Sequence, residues 1–127
     1  MHMVFRWMNC LLLRELPHRL VLRLWDALLC EEDGFESFHV YVCATLLVGF
    51  SDELVSLSFQ VWWCRYRGLG GELTHSPPWT PMQELLMFLQ SGVPEKLAAW
   101  RVPHIESLLG QAFINKSLFD DSPKHLQ

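Results

Sequence analysis

Through the first 60 residues, apolar and polar positions recur mostly with the period of helices. Between residues 5 and 16, Phe5, Met8, Leu12 and Leu16 share one side, and Trp7, Leu11 and Arg14 another. Only Arg6, Asn9 and Leu13 define a third face, so the spacing predicts a helix buried nearly all round. A residue before proline is pushed out of helical geometry, and proline suits a first helical position, so Leu16-Pro17 closes this helix and opens the next. In that second helix Leu20, Val21, Leu24, Trp25 and Leu28 form a stripe at i, i+1, i+4, i+5 and i+8. Arg19, Arg23 and Asp26 lie off it, with Arg23 and Asp26 at the i, i+3 spacing of a helical ion pair.

Glu31-Glu32-Asp33-Gly34 reads as a solvated turn. A calcium loop needs alternating acidic ligands over about twelve residues and a closing Glu, and the run lacks them. Asp33 and Glu36 have the spacing of a capping box, which predicts a helix starting there. Across residues 38–48, Val40-Tyr41-Val42 favours a strand, but the length, Ala44 and Leu46-Leu47 favour a buried helix. Ser51-Asp52-Glu53 caps a short helix through Leu57. Residues 84–90 read as helix, Ser91-Gly92-Val93-Pro94 as its end, and residues 95–100 as one further turn. After Pro103, at a first helical position, Ile105, Leu108, Leu109, Ala112 and Phe113 make the cleanest amphipathic stripe, with Ser107, Gln111 and Asn115 facing away. Asp120-Asp121-Ser122-Pro123 stops it, and the tail to Gln127 is expected to fray.

A family resemblance rests on these stretches. FRWMNCLLLRELP followed by RLVLRLWD resembles the back half of a TBC domain, the helical module of Rab GTPase-activating proteins. It continues through GFESFHVYVCATLL, through FQ and ELLMFLQ around an interruption, and through HIESLLGQAFINKSLFDDSPKHL, so it covers most of the chain. The Arg14-Glu15-Leu16-Pro17 turn and the Arg23-x-Trp25-Asp26 ending are specific together, and weak separately. The resemblance implies an all-α fold, a multi-helix orthogonal array like the C-terminal lobe of a TBC domain, over residues 1–127. It implies a Rab-type small GTPase as partner, vesicle trafficking as the setting, and Arg6, Arg14, Arg19 and Arg23 as candidate contacts. An internal salt bridge such as Arg23 to Asp26 is an equally open role for any of them.

TBC proteins accelerate GTP hydrolysis with an arginine finger that stabilises charge on the transferred phosphoryl group and a glutamine finger that orients the attacking water. These come from Ile-x-x-Asp-x-x-Arg and Tyr-x-Gln motifs, and neither pattern occurs in this sequence. The expectation is therefore a truncated C-terminal part of a GTPase activator, not itself an enzyme and catalytically incomplete alone. The alternative is a non-catalytic helical protein-interaction module. A third reading is an unstable chain, because a half-domain exposes the apolar surface its other half would bury.

Residues 61–83 change the character of the chain. This stretch holds three tryptophans and three prolines with Gly68, Gly70 and Gly71, and no apolar period runs through it. On the resemblance, Gln60 should join Glu84 almost directly. A valine codon begins with GT and a glutamine codon can end with AG, so an in-frame retained intron is one reading and a family-specific loop the other. Either predicts an irregular, poorly ordered insertion at 61–83.

Composition narrows the rest. Half the residues are hydrophobic and 19% are charged, and six tryptophans with eight phenylalanines need a large interior or a partner to cover them. A net charge of −4 with scattered basic residues gives no reason to expect nucleic acid. Cys10, Cys30, Cys43 and Cys64 show no C-x-x-C spacing, which predicts reduced thiols and a cytoplasmic protein; the TBC resemblance implies one peripheral to endomembranes through partners. The longest uncharged apolar run, residues 38–50, is about 13 residues, too short for a transmembrane segment. The apolar run at 8–13 makes a poor signal peptide, being short, flanked by Arg6 and Arg14, and followed by no cleavage site. No G-x-S-x-G, clustered zinc ligands or phosphate loop occurs, so no cofactor, metal or catalytic residue is expected. His39 and Cys43, four apart, read as neighbours in a core rather than a catalytic pair.

Overall fold

Along α2 (His18–Cys30) the stripe of the sequence becomes the floor of the core: Leu20, Val21, Leu24 and Leu28 are buried, with Trp25 half-buried against them. The computed structural model describes residues 2–57 and 81–120. Among these, α1 (His2–Asn9) precedes α2, then come α3 (His39–Gly49), α4 (Ser51–Leu57), α5 (Pro81–Met87), α6 (Val93–Ala98) and α7 (Val102–Asp120). The described residues contain no strand, so the fold is all-α. α7 lies against α2 and α3, and α1 crosses α3. The centre is filled by Val42 and Leu46 of α3, Val93 and Leu97 of α6, and Ile105 and Ala112 of α7. Each fully buried valine, leucine or isoleucine contributes about 1.5–3 kcal/mol relative to exposure.

Residues 38–48 are helical rather than extended. α3 buries His39, Val42, Cys43, Thr45 and Leu46, too many sides for a single stripe, which is why its β-branched residues misled local propensity. The capping box at Asp33 does not form. Asp33 makes no side-chain cap, and a π turn (Gly34–Phe38) leads into α3 instead. The Asp33 carbonyl gathers the N–H groups of Glu36, Ser37 and Phe38 at 3.2, 2.8 and 3.1 Å, so the backbone itself satisfies donors that a cap would have taken.

The helix expected to stop at residues 91–94 continues. A second π turn (Phe88–Gly92) joins α5 to α6, with the Val93 N–H bonded to the Phe88 carbonyl. Gly92 holds helical φ −68 and ψ −41, and Pro94 falls in the first turn of α6, where its fixed φ suits the helix. Burial of Leu89, Val93 and Leu97 at i, i+4 and i+8 rewards the continuation. Pro17 sits one residue earlier than expected, as the N-cap of α2, and its carbonyl accepts from Leu20 and Val21 at 2.8 and 3.1 Å. On α7, Ile105, Leu108, Leu109 and Ala112 are buried, but Phe113 is 53% exposed.

The expected insertion at 61–83 lies outside the described residues up to residue 80, and α5 begins at Pro81, ahead of Glu84. The expected fraying after Asp120 also lies outside them. No single described helix is long and apolar enough to cross a membrane; Gly34–Gly49 and Ser51–Leu57 reach that length only together, across a 54° bend.

Gly34 is where α2 meets the turn into α3 most closely. A Cβ added there would lie 1.7 Å from the carbonyl oxygen of Leu28, a backbone atom that cannot step aside. Gly34→Ala should therefore lower stability by about 3 kcal/mol, the upper range of overpacking costs, measured as a shift in urea midpoint at unchanged slope.

Candidate partner-contact surface

α1 does not run on to Leu16. It ends at Asn9, and the chain reverses through residues 10–16 with Leu11 at φ 48 and Leu12 at φ 58. The left-handed region costs a non-glycine residue roughly 1–2 kcal/mol. Three contacts offset it. Leu12 is 1% exposed, the Trp25 indole N–H donates to the Leu11 carbonyl at 3.1 Å, and Glu15 turns back to Arg6. Arg6 Nε and Glu15 Oε1 stand 2.6 Å apart, an ion pair without the angle of a hydrogen bond. In an unbroken helix, residues nine apart are about two and a half turns round and face opposite ways. The pair exists because the helix breaks. The break also leaves Phe5 71% exposed on the side expected to be buried.

The four candidate arginines separate into two kinds. Arg6 is committed to Glu15, whose side chain is 1% exposed. Arg23 pairs with Glu106 of α7 at 3.6 Å, not with Asp26, because α7 packs across that face of α2. Arg14 and Arg19 are exposed and form no ion pair among the described residues. They bracket Pro17 and exposed His18, with Leu13 and Leu22 45% and 48% exposed nearby in the chain. This basic ridge stands on a turn pinned from below by Leu12 and Leu16. Its guanidinium groups can take carboxylates in paired hydrogen bonds, with apolar surface beside them.

His39 and Cys43 do meet, in the core. His39 Nε2 lies 3.0 Å from the Trp7 carbonyl and 3.5 Å from Cys43 Sγ. Burial lowers the His39 pKa against the opposing pull of that carbonyl, and burial pushes the Cys43 thiol up to about 12. A thiol held neutral beside a neutral imidazole is no nucleophile. Among the described residues no three His, Cys, Asp or Glu side chains gather as metal ligands. Cys10, Cys30 and Cys43 are free thiols, and Cys64 lies outside the described residues.

A model of the Rab-GTPase-TBC domain family matches residues 1–55, the stretch that holds α1, the break, the ridge, α2 and α3. The TBC likeness extends along the chain in relatives. Fission yeast GTPase-activating protein gyp1 is 40% identical over 124 residues, 97% of this chain and 19% of the relative. Human TBC1 domain family member 22A is 39% identical over 121 residues, 95% of this chain and 19% of the relative. Budding yeast GTPase-activating protein GYP1 is 25% identical over 181 residues, 95% of this chain and 24% of the relative. The chain thus spans about a fifth of the length of the first two TBC relatives.

Glu15 and Glu106, the acids that sort the arginines, carried no readable signal: one partner lies across a helix break and the other on a distant helix. Removing one member of the Arg6–Glu15 pair should strand a charge. Arg6→Met is expected to cost about 3–5 kcal/mol, whereas Arg6→Met with Glu15→Leu should fall close to wild type in urea unfolding. His39 gives a pH signature. Its folded pKa lies below the unfolded value of 6.5, so its contribution is fully present above that pH and is lost as pH falls below it. Stability should drop from pH 7.5 to 5.5 by at most about 1.4 kcal/mol per pH unit, and His39→Gln should flatten the slope.

Proposed function

We propose that this chain is a segment of a TBC-type activator of Rab-family small GTPases, supplying helical support and, through Arg14 and Arg19, part of the surface that meets the GTPase. The observation that carries this reading is 40% identity, across 97% of the chain, to a fission yeast protein named as a GTPase-activating protein. The exposed basic ridge inside the matched residues 1–55 supports it. Acceleration in this family draws on the arginine and glutamine of two motifs, and neither motif occurs in the 127 residues. A polypeptide of these residues therefore binds a Rab without speeding hydrolysis, since the charge-stabilising and water-orienting groups must come from elsewhere. Its work is cytoplasmic, on endomembranes reached through the Rab partner.

A second reading, a non-catalytic interaction module, is favoured by the large apolar side chains left in solvent, among them Leu29 at 71% and Phe119 at 68% exposure. Single-turnover GTP hydrolysis and binding titrations over a panel of Rab proteins separate the two. Binding without acceleration is expected, weakened roughly tenfold by Arg14→Glu with Arg19→Glu and less so as salt rises. Acceleration by this polypeptide alone would refute the incomplete-activator reading, and indifference to the double reversal would remove the ridge. Failure to bind any Rab leaves the module.

A further inference from the structure

Between α2 and α7 runs an open cleft of about 460 Å³. Ala27 and Cys30 form one wall, Leu109, Gly110 and Phe113 the other, and Phe38 closes the back. Arg23 and Glu106 pair at one end, and Lys116 and Glu31 pair at 3.0 Å at the other, with Lys116 Nζ 5.8 Å above the Phe38 ring. A Cβ added at Gly110 would meet nothing within 4 Å, so the cleft is open in its middle. Each wall is a single helical stripe, Arg23, Ala27 and Cys30 facing Glu106, Gly110 and Phe113, about two turns long. That length and spacing suit the apolar i, i+4, i+7 face of a third helix.

Two observations choose the occupant. Small-molecule sites hold a few placed polar groups that fix a ligand. Among the described residues the buried side-chain atoms without hydrogen-bond partners belong to Arg6, Trp7, Glu15 and His39, none of which lines the cleft. The cleft's own charged groups already pair with one another. Along the stretch of chain that carries the lining residues Ala27, Glu31 and Phe38, exposed Asp26, Glu32, Asp33 and Glu36 form no ion pair among the described residues. An apolar floor with an acidic surround complements a helix that is apolar on one face and basic on its flanks.

We propose that the α2–α7 cleft receives a cationic amphipathic helix of a partner protein, its apolar side chains over Ala27, Gly110 and Phe113 and its lysines or arginines against the carboxylates along α2 and the connector. Cys30, exposed and in the wall, reports occupancy directly. The probe is a Leu/Lys helical peptide of about 14 residues, four turns, beside its Leu/Glu counterpart. Maleimide labelling of the 127-residue chain is read at Cys30, with half-buried Cys10, outside the cleft, as reference.

At about ten times its Kd the Leu/Lys peptide should slow Cys30 labelling roughly tenfold, leave Cys10 unchanged, and lose the effect as salt rises. Gly110→Leu fills the cleft while raising helix propensity, so it should weaken binding of the fluorescently labelled peptide tenfold or more without lowering Tm. Equal protection by the Leu/Glu peptide, or wild-type binding by Gly110→Leu, would overturn the proposal. Peptide-free protection that rises with protein concentration would also overturn it, by assigning the cleft to a second copy.

Discussion

Two consecutive leucines at positive φ set the geometry from which the N-terminal half follows. Leu11 and Leu12 together cost about 2–4 kcal/mol of backbone strain. Burying Leu12 returns about 1.5–3 kcal/mol and the Trp25–Leu11 hydrogen bond roughly 1 more, so the strain is met locally. What the reversal gains beyond that is arrangement. It brings Glu15 back onto Arg6 and lays Leu16 into the core, while Arg14 stays in solvent beside the start of α2. A continuous helix through these residues would have put Arg6 and Glu15 on opposite faces.

The rest of the array holds that arrangement rigid. α7 ties the bundle at several levels, through Ile105 and Ala112 in the core, through Asn115 donating to Thr45 Oγ1 at 3.0 Å, and through Lys116 on Glu31. Thr45 in turn donates to the Tyr41 carbonyl at 2.7 Å, so a buried hydroxyl is satisfied on both sides and links α3 to α7. On the far side, Lys96 pairs with Glu53 and lies 5.8 and 5.4 Å over the rings of Phe50 and Phe88, joining α4 to α6. These contacts are individually small where exposed, but they orient helices whose affinity for one another comes from the apolar stripes.

The stripes were also what the sequence made legible. α2 and most of α7 read correctly because their apolar residues occupy one face and leave the other polar. Residues 5–16 failed for the opposite reason: apolar residues on nearly every side make any helical register look buried, and periodicity carries no information about φ. Phe113 failed because it lines the open cleft between α2 and α7, where no neighbouring side chain covers the last member of the stripe. The π turns were invisible, since one extra residue per turn shifts a register without altering composition. Arg23 could not be assigned because Asp26 stood at the right local spacing while the actual partner, Glu106, lies far along the chain.

The charges at the ends of α2 run against its own dipole. Arg19 stands at the N-terminus, where partial positive charge already gathers, and Glu31, Glu32 and Asp33 follow the C-terminus, where it is negative. No acid occupies the first turn and no base the last. Each such placement costs roughly 0.3–1 kcal/mol at an exposed site, the reverse of what stability alone would select. Lys116 relieves only Glu31. A helix that carries these costs at both ends presents two oppositely charged patches on a chain of net charge −4. Such separation orients approaching charged partners before contact. A basic end and an acidic end beside an apolar cleft are what two different partners on one helix would require.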